Sequence, residues 1–368
     1  MIKTAFSFEE SATTVTPQLV INRTLLLNNI KHLVNVAGLP SRLWPHVKTH
    51  KTAAIVSILQ ENGINNFKTA TIAEAEMCAS CRAENVLLSY PLVGYNQDRF
   101  LKLQKAFPST IFHTLFDDLE QLRLFDKKCE SEGTKAKVMI DVNSGMNRTG
   151  RAFCELSSFA SEVNNLKNVT LSGFHCYDGQ RHEKDAEVRK VLTEETYLAF
   201  KEAVASLIKQ DTFLIMGGTP SFPFYAKHED VSLSPGTLVL NDAGYSENYK
   251  DLNFPPAAAV LTRVVSAPCK GQFTLDLGCK GIASDPRGDR GRIIGLDNCE
   301  ELFQSEEHWV FRMKEGHEAE APKVGDELFV IPMHICPTSA LYPFSLVVEN
   351  NELVAKWEIT SRNRRIAY

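Results

Sequence analysis

A short lysine-centred stretch is the first place where the sequence indicates chemistry. The heptapeptide PHVKTHK, residues 45–51, follows the apolar residues Leu43 and Trp44 and precedes a helical pattern. This order predicts Lys48 at the carboxyl end of a strand, the edge at which parallel α/β proteins collect their functional groups. A partly desolvated lysine in that position can lose its proton and attack a carbonyl carbon. Composition alone favours a plainer interpretation, a basic loop that solvates a strand end.

Two later segments bring an arginine, a tyrosine and a histidine to the ends of predicted strands. Residues 141–150, DVNSGMNRTG, contain Arg148, and residues 173–182, GFHCYDGQRH, contain Tyr177 and His182. Taken alone, Arg148 would be a structural residue of a polar loop and Tyr177 a core or rim residue. His182 is open between a surface histidine at a helix start and a base that takes a proton from a substrate hydroxyl.

Two glycine-bearing turns follow the later predicted strands. Their candidate residues, in the segments MGGTPS (216–221) and SPGT (234–237), are Gly217, Gly218, Thr219, Gly236 and Thr237. Backbone N–H groups exposed in such turns suit a phosphate. Each turn alone is a weak signal, because Gly-Gly and Pro-Gly pairs mostly mark ordinary turns. Two of them at successive strand ends are expected of the phosphate site of a barrel.

A histidine and a cysteine lie two residues apart near the C-terminus, at His334 and Cys336. On an extended segment this spacing places both side chains on one face. Imidazole and thiolate suit zinc or another borderline-soft divalent metal. Without further support, packing is the better interpretation of so short a pattern.

Short apolar strands alternate with helical patterns over the first two thirds of the chain. The strand candidates are 43–48, 66–70, 85–90, 110–115, 137–143, 171–177, 213–217 and 237–241. The helical candidates are 25–36, 51–62, 72–82, 96–106, 117–132, 152–164 and 182–209. This alternation predicts a parallel sheet covered on both faces, and eight strands fit a closed (β/α)8 TIM-type barrel. A doubly wound open sheet is the alternative, but no GxGxxG motif follows the first strand to support dinucleotide binding.

The pattern changes after Pro255 and Pro256. The strand-like segments that follow are 260–265, 272–277, 309–311, 327–331 and 355–359, joined by turns that carry Gly and Pro. No helical periodicity interrupts them. The sequence therefore predicts a barrel domain over 23–256 and a second, all-β domain over 257–368.

Together these segments resemble the family of D-threonine aldolases and D-serine dehydratases, pyridoxal-phosphate enzymes of the alanine racemase-like fold type. The resemblance rests on PHVKTHK, on the arginine of residues 141–150, which fits the family's G-x-x-R-x-G element, and on the segments that follow in order along nearly the whole chain. It implies a pyridoxal-phosphate-binding barrel and a β domain that carries a metal pair. It also implies that the early strand 18–22 joins the β domain.

The resemblance assigns roles to the candidate residues. Lys48 would bond the cofactor and later move a proton at Cα, and His182 would be the second catalytic residue. Lys51, in the start of the next helix, would be solvated or would face the phosphate. His334 and Cys336 would bind a divalent metal (Zn, Mn or Mg). By resemblance, the cofactor-site residues beside Lys48 are His46, Thr49, His50, Arg148 and Tyr177. The glycine-bearing turns add Gly217, Gly218, Thr219, Gly236 and Thr237, and Asp242 and Tyr245, after the last predicted strand, are further lining residues.

The implied activity is that of a lyase acting on D-3-hydroxy amino acids. If a base takes the hydroxyl proton, the Cα–Cβ bond breaks and glycine and an aldehyde form. If Lys48 takes the Cα proton and hydroxide leaves, a keto acid and ammonia form. We predict aldol cleavage, although a His-x-Cys pair in place of the aldolases' usual His-x-Asp favours a dehydratase. An amino acid racemase, which needs no metal, and a non-enzymatic cofactor carrier, which would lack the β domain, are the remaining alternatives.

Composition limits the setting in which the protein works. The 368 residues are 43% hydrophobic and 23% charged with a net charge of −5, which fits a soluble enzyme and argues against a nucleic-acid partner. No run of 18 apolar residues predicts a membrane span. The first ten residues lack an apolar leader and the nine cysteines are scattered, so we expect free thiols and a cytoplasmic location. The family fold implies a homodimer.

Overall fold

Contacts divide the chain into two units, which we call the barrel unit and the β unit. The computed structural model describes residues 4–368; the three residues before them, part of the stretch expected to lack a leader, lie outside the described range. The barrel unit comprises Leu33–Lys48, Ala53–Gly236 and Asn363–Tyr368. The β unit comprises the described residues up to His32, Thr49–Thr52 and Thr237–Arg362. Residues 237–256, which the sequence pattern assigns to the barrel, group by their contacts with the β unit.

The secondary structure alternates in the barrel unit and is mostly extended in the β unit. The strands are β1 (Gln18–Asn22), β2 (Asn66–Thr69), β3 (Asn85–Leu88), β4 (Ile111–Phe116), β5 (Ala136–Asn143), β6 (Val169–Tyr177), β7 (Phe213–Met216), β8 (Ser232–Leu233), β9 (Ala258–Ser266), β10 (Gln272–Leu275), β11 (Gly291–Ile293), β12 (Cys299–Gln304), β13 (Trp309–Met313), β14 (Glu327–Pro332), β15 (Phe344–Glu349) and β16 (Glu352–Glu358). The α-helices are α1 (Arg23–Ala37), α2 (Ala53–Glu61), α3 (Ile72–Ser80), α4 (Tyr95–Ala106), α5 (Leu119–Ser131), α6 (Leu156–Asn164), α7 (Ala186–Val204), α8 (Phe222–Tyr225), α9 (Ala243–Asn248) and α10 (Ile335–Leu341). Among the helices of residues 4–368, none has the length and apolar character needed to cross a membrane.

The barrel unit is built on a parallel sheet in which β2 to β8 follow one another in sequence order. The segment 43–46 closes this sheet, because it pairs with β8 on one side and with β2 on the other. Trp44 N donates to Leu233 O at 2.8 Å, and Lys68 N donates to Pro45 O at 3.0 Å. Sheet and segment therefore form a ring of eight parallel members. The predicted (β/α)8 barrel is confirmed.

The first barrel strand is shorter than the sequence predicts. Only isolated bridges at Leu43 and His46 stand where a strand over 43–48 was expected, and a 3-10 turn, Val47–Thr49, follows. Pro45 has no N–H to donate, so a continuous ladder cannot run through this segment. Lys48 consequently projects from a tight turn rather than from the end of a strand.

The last barrel strand was predicted in the wrong place. The sequence indicates a strand over 237–241, but these residues begin with a 3-10 turn, Thr237–Val239, and the sheet ends at β8. The apolar run Leu238–Leu240 is buried without belonging to a strand. Apolar runs of this length are buried equally well in strands, helices and irregular segments, so periodicity could not decide between them.

The inside of the barrel is packed at one end and open at the other. Trp44, fully buried, lies edge-on to Phe213 with 5.1 Å between ring centroids and to His113 with 5.8 Å. Burial lowers the pKa of His113 to about 3, so this imidazole is neutral and bonds Ser172 Oγ at 2.8 Å and Asn85 Oδ1 at 3.2 Å. The apolar residues packed with Trp44 are Leu87, Leu115, Met139 and Ile215. This plug closes the amino-terminal end and leaves the carboxyl ends of the strands for function.

Capping side chains fix where the outer helices begin. Thr71 accepts from Glu74 N ahead of α3, Asp118 accepts from Gln121 N ahead of α5, and Asp185 accepts from Val188 N ahead of α7. Each cap pairs one of the backbone N–H groups that a helix start leaves without a partner. The loops between strands and helices are thereby held at defined lengths.

The β unit contains a mixed sheet in the order β12-β13-β10-β9-β1-β15-β16, with β14 pairing to β9 and β11. The early strand β1 is antiparallel to β9 and parallel to β15, as the family resemblance implied. One buried apolar cluster of this unit is formed by Phe6, Phe8, Val20, Ala259, Leu261, Phe329, Leu346 and Val348. The unit is not purely β, since the short helices α9 and α10 accompany the sheet.

Candidate active site

A cavity of about 580 Å³ opens among residues at the carboxyl ends of the barrel strands. Four residues that the sequence nominated line it together, and no carboxylate side chain is among its described lining residues. The nominated residues are His46, Lys48, Arg148 and Tyr177; the others are Lys68, Ala70, Ser89, Tyr90, Pro91, Val93, Asn96, Thr149 and His175. The cavity is therefore electropositive and large enough for a cofactor together with a small substrate.

Lys48 owes its position to the 3-10 turn Val47–Thr49. Its backbone N donates to His46 Nδ1 at 3.4 Å, and His46 Nε2 lies 3.4 Å from Ser89 Oγ. The side chain of Lys48 is half-buried and lines the cavity. Its rival Lys51 belongs to the β unit and has a φ of +54°, with its carbonyl accepting from Ser361 N. The structure thus brings one lysine of PHVKTHK to the cavity.

Arg148 and Tyr177 form one wall. The guanidinium carbon of Arg148 lies 5.2 Å from the centre of the Tyr177 ring, within cation–π range. The turn that carries Arg148 is tied down where Gly150 N donates to Asp117 Oδ2 at 2.7 Å. Behind the ring, a Cβ on Gly218 would come within 2.9 Å of Tyr177, so only glycine permits this contact.

Three backbone N–H groups of the glycine-rich turns already have hydrogen-bond partners, which the sequence did not suggest. Gly217 N donates to Cys176 O at 3.1 Å, Gly218 N to Ser221 Oγ at 3.1 Å, and Gly236 N to Thr219 Oγ1 at 3.2 Å. These three amides are therefore already paired. Their use in a phosphate site stays a prediction, one that requires the turns to exchange these bonds for bonds to the ligand.

Asp178 fastens the turn after β7 to the end of β6. Its carboxylate accepts from Ser221 Oγ at 2.8 Å and from the Tyr225 hydroxyl at 2.9 Å, and it is 2% exposed. Burial raises its pKa, and the two hydroxyl donors partly offset that rise. The adjacent Tyr177 is positioned by this anchored segment.

Replacing Asp178 with asparagine should lower the free energy of unfolding by about 2 kcal/mol, because one buried hydroxyl then meets an amide N–H instead of an acceptor. Urea unfolding followed by fluorescence measures the change. Tyr225→Phe, which removes one donor and leaves the carboxylate in place, is the matched control and should cost about 1 kcal/mol. Equal losses for the two variants would contradict the proposed role of the carboxylate.

A buried polar chain across the barrel was not anticipated from the sequence. Lys68, on β2, donates to Ser234 Oγ at 2.7 Å, and its Nζ lies 3.4 Å from His175 Nε2. His175 Nδ1 lies 2.8 Å from Asp141 Oδ1. Burial lowers the pKa of His175, so its neutral ring donates from Nδ1 and accepts at Nε2. The signal was present, since a lysine or histidine in a buried parallel strand needs a polar interior to face.

His182, Thr49 and Thr237 are among the nominated residues that lie away from the cavity lining. His182 is exposed in the loop before α7, and within residues 4–368 it makes no described hydrogen bond or ion pair, so its catalytic role stays a prediction. Thr49 and Thr237 belong to the β unit, where their hydroxyl oxygens lie 3.2 Å and 3.8 Å from Cys336 Sγ.

The prediction that His334 and Cys336 lie on an extended segment was wrong, and their role as metal ligands stays a prediction. His334 is the N-terminal flanking residue of α10, and Cys336 lies in its first turn. Asp242 explains the bend, because its buried carboxylate accepts from Ile335 N at 3.0 Å and begins α9 as well. Burial raises the pKa of Asp242 to about 6, although these backbone donors oppose the rise.

Asp285 orients the imidazole of His334, whose Nδ1 lies 2.6 Å from Asp285 Oδ2. Burial lowers the pKa of His334, but the hydrogen bonds and charges of Cys336 and Asp285 outweigh it and raise the pKa to about 9. A carboxylate on the remote nitrogen of a histidine is the usual support of a metal ligand. Across residues 4–368, no group of three or more His, Cys, Asp or Glu side chains is arranged to hold a metal by itself.

Comparison with known families accounts for both parts of the chain. The family profile described as the alanine racemase N-terminal domain matches residues 21–241. A second profile, described as a putative serine dehydratase domain, matches residues 257–348. The first match covers more than half of the 368 residues, and the second covers most of the remainder.

Related proteins of known activity align over most of their length. The 3-hydroxy-D-aspartate aldolase of Paracoccus denitrificans is 25% identical over 95% of this chain and 92% of its own. The D-threonine aldolase of an Arthrobacter species is 25% identical, covering 87% and 85%. The D-serine dehydratase of Saccharomyces cerevisiae is 25% identical, covering 92% and 94%. Aldolases and a dehydratase are thus equally similar to this chain.

Solved structures share the whole architecture. The D-threonine aldolase of Filomicrobium marinum superposes with a TM-score of 0.87 at 23% identity, covering 95% of this chain and 96% of its own. The D-threo-3-hydroxyaspartate dehydratase of Delftia sp. HT23 gives a TM-score of 0.83 at 19% identity, covering 95% and 98%. At these identities the similarity shows the fold.

Proposed function

The chain belongs to the family of the alanine racemase N-terminal domain, and from this premise we propose that it is a pyridoxal-phosphate-dependent lyase that cleaves D-3-hydroxy amino acids. The observation that carries the proposal is the convergence of Lys48, Arg148 and Tyr177 around one electropositive cavity. Relatives that act on such substrates align over nearly the full chain, which supports the substrate class. We propose the aldol reaction, with glycine and an aldehyde as products.

The cavity fits the cofactor by the chemistry of its lining. Lys48 offers an amine that can bond the cofactor's aldehyde, Arg148 offers a guanidinium for an anionic oxygen, and Tyr177 offers a ring edge or face. Lys68 adds a buried ammonium that has no carboxylate in ion-pair contact among the described residues. When bound, pyridoxal phosphate supplies an electron sink for charge that develops at Cα.

The chain's own residues then bind and position the substrate and move protons. The amine of Lys48 would accept or return a proton at the substrate Cα. The cations that line the cavity attract the substrate carboxylate, and the apolar wall of Tyr90, Pro91 and Val93 leaves room for a β-substituent. The hydroxyl proton requires a base, for which His182 is the candidate that the family resemblance implied.

In the β unit, His334 and Cys336 would hold a divalent metal, with the remaining positions open to water or substrate. Such a metal would supply Lewis-acid chemistry. A mutant of a structurally similar dehydratase has been described in a metal-free form, which supports testing for a metal here.

Replacing Asp285 with asparagine should weaken metal binding roughly 10- to 100-fold, because His334 loses the carboxylate that fixes its tautomer and orientation. Competition with a chromogenic chelator measures the affinity. The control is Asp289→Asn, which removes a carboxylate bound to Arg292 in the same unit. Equal metal affinities for the two variants would contradict the assignment of His334 as a ligand.

One observation favours the second candidate, a dehydratase. The pair His334-x-Cys336 is the version that the resemblance associates with dehydratases. Incubation of the purified protein with D-threonine separates the reactions. Aldol cleavage yields glycine and acetaldehyde, dehydration yields 2-oxobutyrate and ammonia, and racemisation at Cα yields neither pair. Glycine without 2-oxobutyrate supports our proposal, and 2-oxobutyrate without glycine replaces it by the dehydratase.

A further inference from the structure

Lys68 is the least expected group in the barrel. It is 3% exposed, and β2 lies opposite β6 in the ring of eight, so its side chain crosses the lumen to reach His175. Its Nζ also lies 5.3 Å from the centre of the Tyr177 ring. The amine lines the same cavity as Lys48. Its location makes it part of the floor on which a ligand would rest.

The partners of this amine are neutral. Ser234 Oγ, 2.7 Å from Lys68 Nζ, donates its own hydrogen bond to Gly217 O at 2.8 Å. His175 Nε2 accepts, because Nδ1 donates to Asp141. Within residues 4–368, no carboxylate makes an ion pair with Lys68. Burying the charged form of this amine without a carboxylate in direct contact is costly, and Asp141 and Asp178 offset that cost only from a distance.

We propose that Lys68 forms an anion-binding site at the floor of the cavity, occupied by an anionic oxygen of the bound cofactor or of the substrate. The ligand then supplies the directly bound anion that the described carboxylates do not, and Arg148 and Lys48 share its charge. The inference rests on the proposed function only for the identity of the ligand. The site itself follows from the buried amine and the cavity above it.

The electrostatic environment gives this site a measurable signature. Burial, followed by the charge of Lys48, lowers the pKa of Lys68 to about 7. The other charged or titratable groups that face it are Asp141, Asp178, Arg148, His175 and Tyr177. At pH 7 the amine is about half protonated when the cavity is empty. An anion beside it favours the charged form, so binding should draw in about half a proton at that pH.

The test is calorimetric titration of the full-length protein at pH 7 in buffers of different ionisation enthalpy. Sulfate, which stays fully ionised, probes the cofactor-free chain and stands for a phosphate oxygen. D-Lactate, which lacks an amine, probes the cofactor-loaded protein and stands for the substrate carboxylate. Proton uptake of about half a proton with sulfate assigns Lys68 to the cofactor, and uptake with D-lactate assigns it to the substrate.

Two substitutions make the result specific to Lys68. Lys68→Met should abolish the proton uptake, and it should weaken binding of whichever anion, sulfate or D-lactate, caused that uptake by about tenfold or more. Lys68→Arg, which keeps a permanent charge, should bind the anion without uptake and serves if the methionine variant does not fold. Lys137→Met, an exposed lysine on β5, is the control and should behave as the parent protein.

Proton uptake that is equal in the parent protein and in both Lys68 variants, with either anion, would overturn the site. The sulfate measurement needs no bound cofactor. A protein that takes up a proton at Lys68 but never acquires a cofactor absorbance band would therefore refute the proposed function and leave the anion site intact.

Discussion

The Lys48→Ala protein should neither bond pyridoxal phosphate nor turn over substrate. We expect the visible absorbance band of the bonded cofactor to disappear and turnover of D-threonine to fall roughly 10³-fold or more, because one amine both attaches the cofactor and moves the proton. Absorbance spectra after dialysis, and a glycine assay, measure the two losses. Each loss follows from Lys48 being the lysine of PHVKTHK that the 3-10 turn directs into the cavity.

The neighbouring lysine provides the control. Lys51→Asn introduces a residue that tolerates the observed φ of +54°, and it removes an amine that lies in the β unit. This variant should keep the absorbance band and most of the activity. If the band survives in Lys48→Ala and vanishes in Lys51→Asn, the cofactor lysine has been misassigned. Survival in both would leave Lys68 as the remaining amine of the cavity.

Much of the barrel could be predicted because its strands are short, apolar and separated by amphipathic helices. The pattern located each end of β2 to β7 to within two residues, and it predicted that eight strands close into a barrel. The pattern failed at the two members that pair to close the ring, the segment 43–46 and β8. Pro45 interrupts one of them, and β8 is only two residues long, so neither carries enough of a period-two pattern to be recognised.

The residues of the site also differ in how well the sequence predicts them: those in a recognisable local segment could be predicted, and those that depend on distant partners could not. Lys48, Arg148 and Tyr177 could be nominated because each sits in a recognisable segment after a strand. A lysine in a buried parallel strand marked Lys68 as unusual, but its partners Ser234 and His175, which lie 166 and 107 residues away along the chain, could not be predicted. Closure of the barrel brings these residues together, and a single sequence does not record which side chains share the lumen.

A single methyl group on Gly150 should destabilise the protein and impair the cavity together. Gly150 has a φ of +101°, and a Cβ there would lie 2.6 Å from Asn143 N and 2.7 Å from the carbonyl carbon of Val142. Both are backbone atoms of β5, which cannot move without breaking its pairing with the neighbouring strands. We expect Gly150→Ala to lower the free energy of unfolding by about 3 kcal/mol or more, measured by urea unfolding.

The strain at Gly150 must be separated from its crowding, and Gly288 allows this. Gly288 has a similar φ of +90°, and a Cβ at this position would meet no described atom within 4 Å, so Gly288→Ala should cost only the backbone strain, about 1–2 kcal/mol. Gly150→Ala should also weaken cofactor binding under conditions where the protein stays folded, because the turn that holds Arg148 is displaced. Equal destabilisation by the two substitutions, with cofactor affinity unchanged, would mean that the turn around Gly150 moves to accommodate the added Cβ at no measurable cost. The convergence of Arg148 with Tyr177 would then need a different support from the one that Gly150 provides.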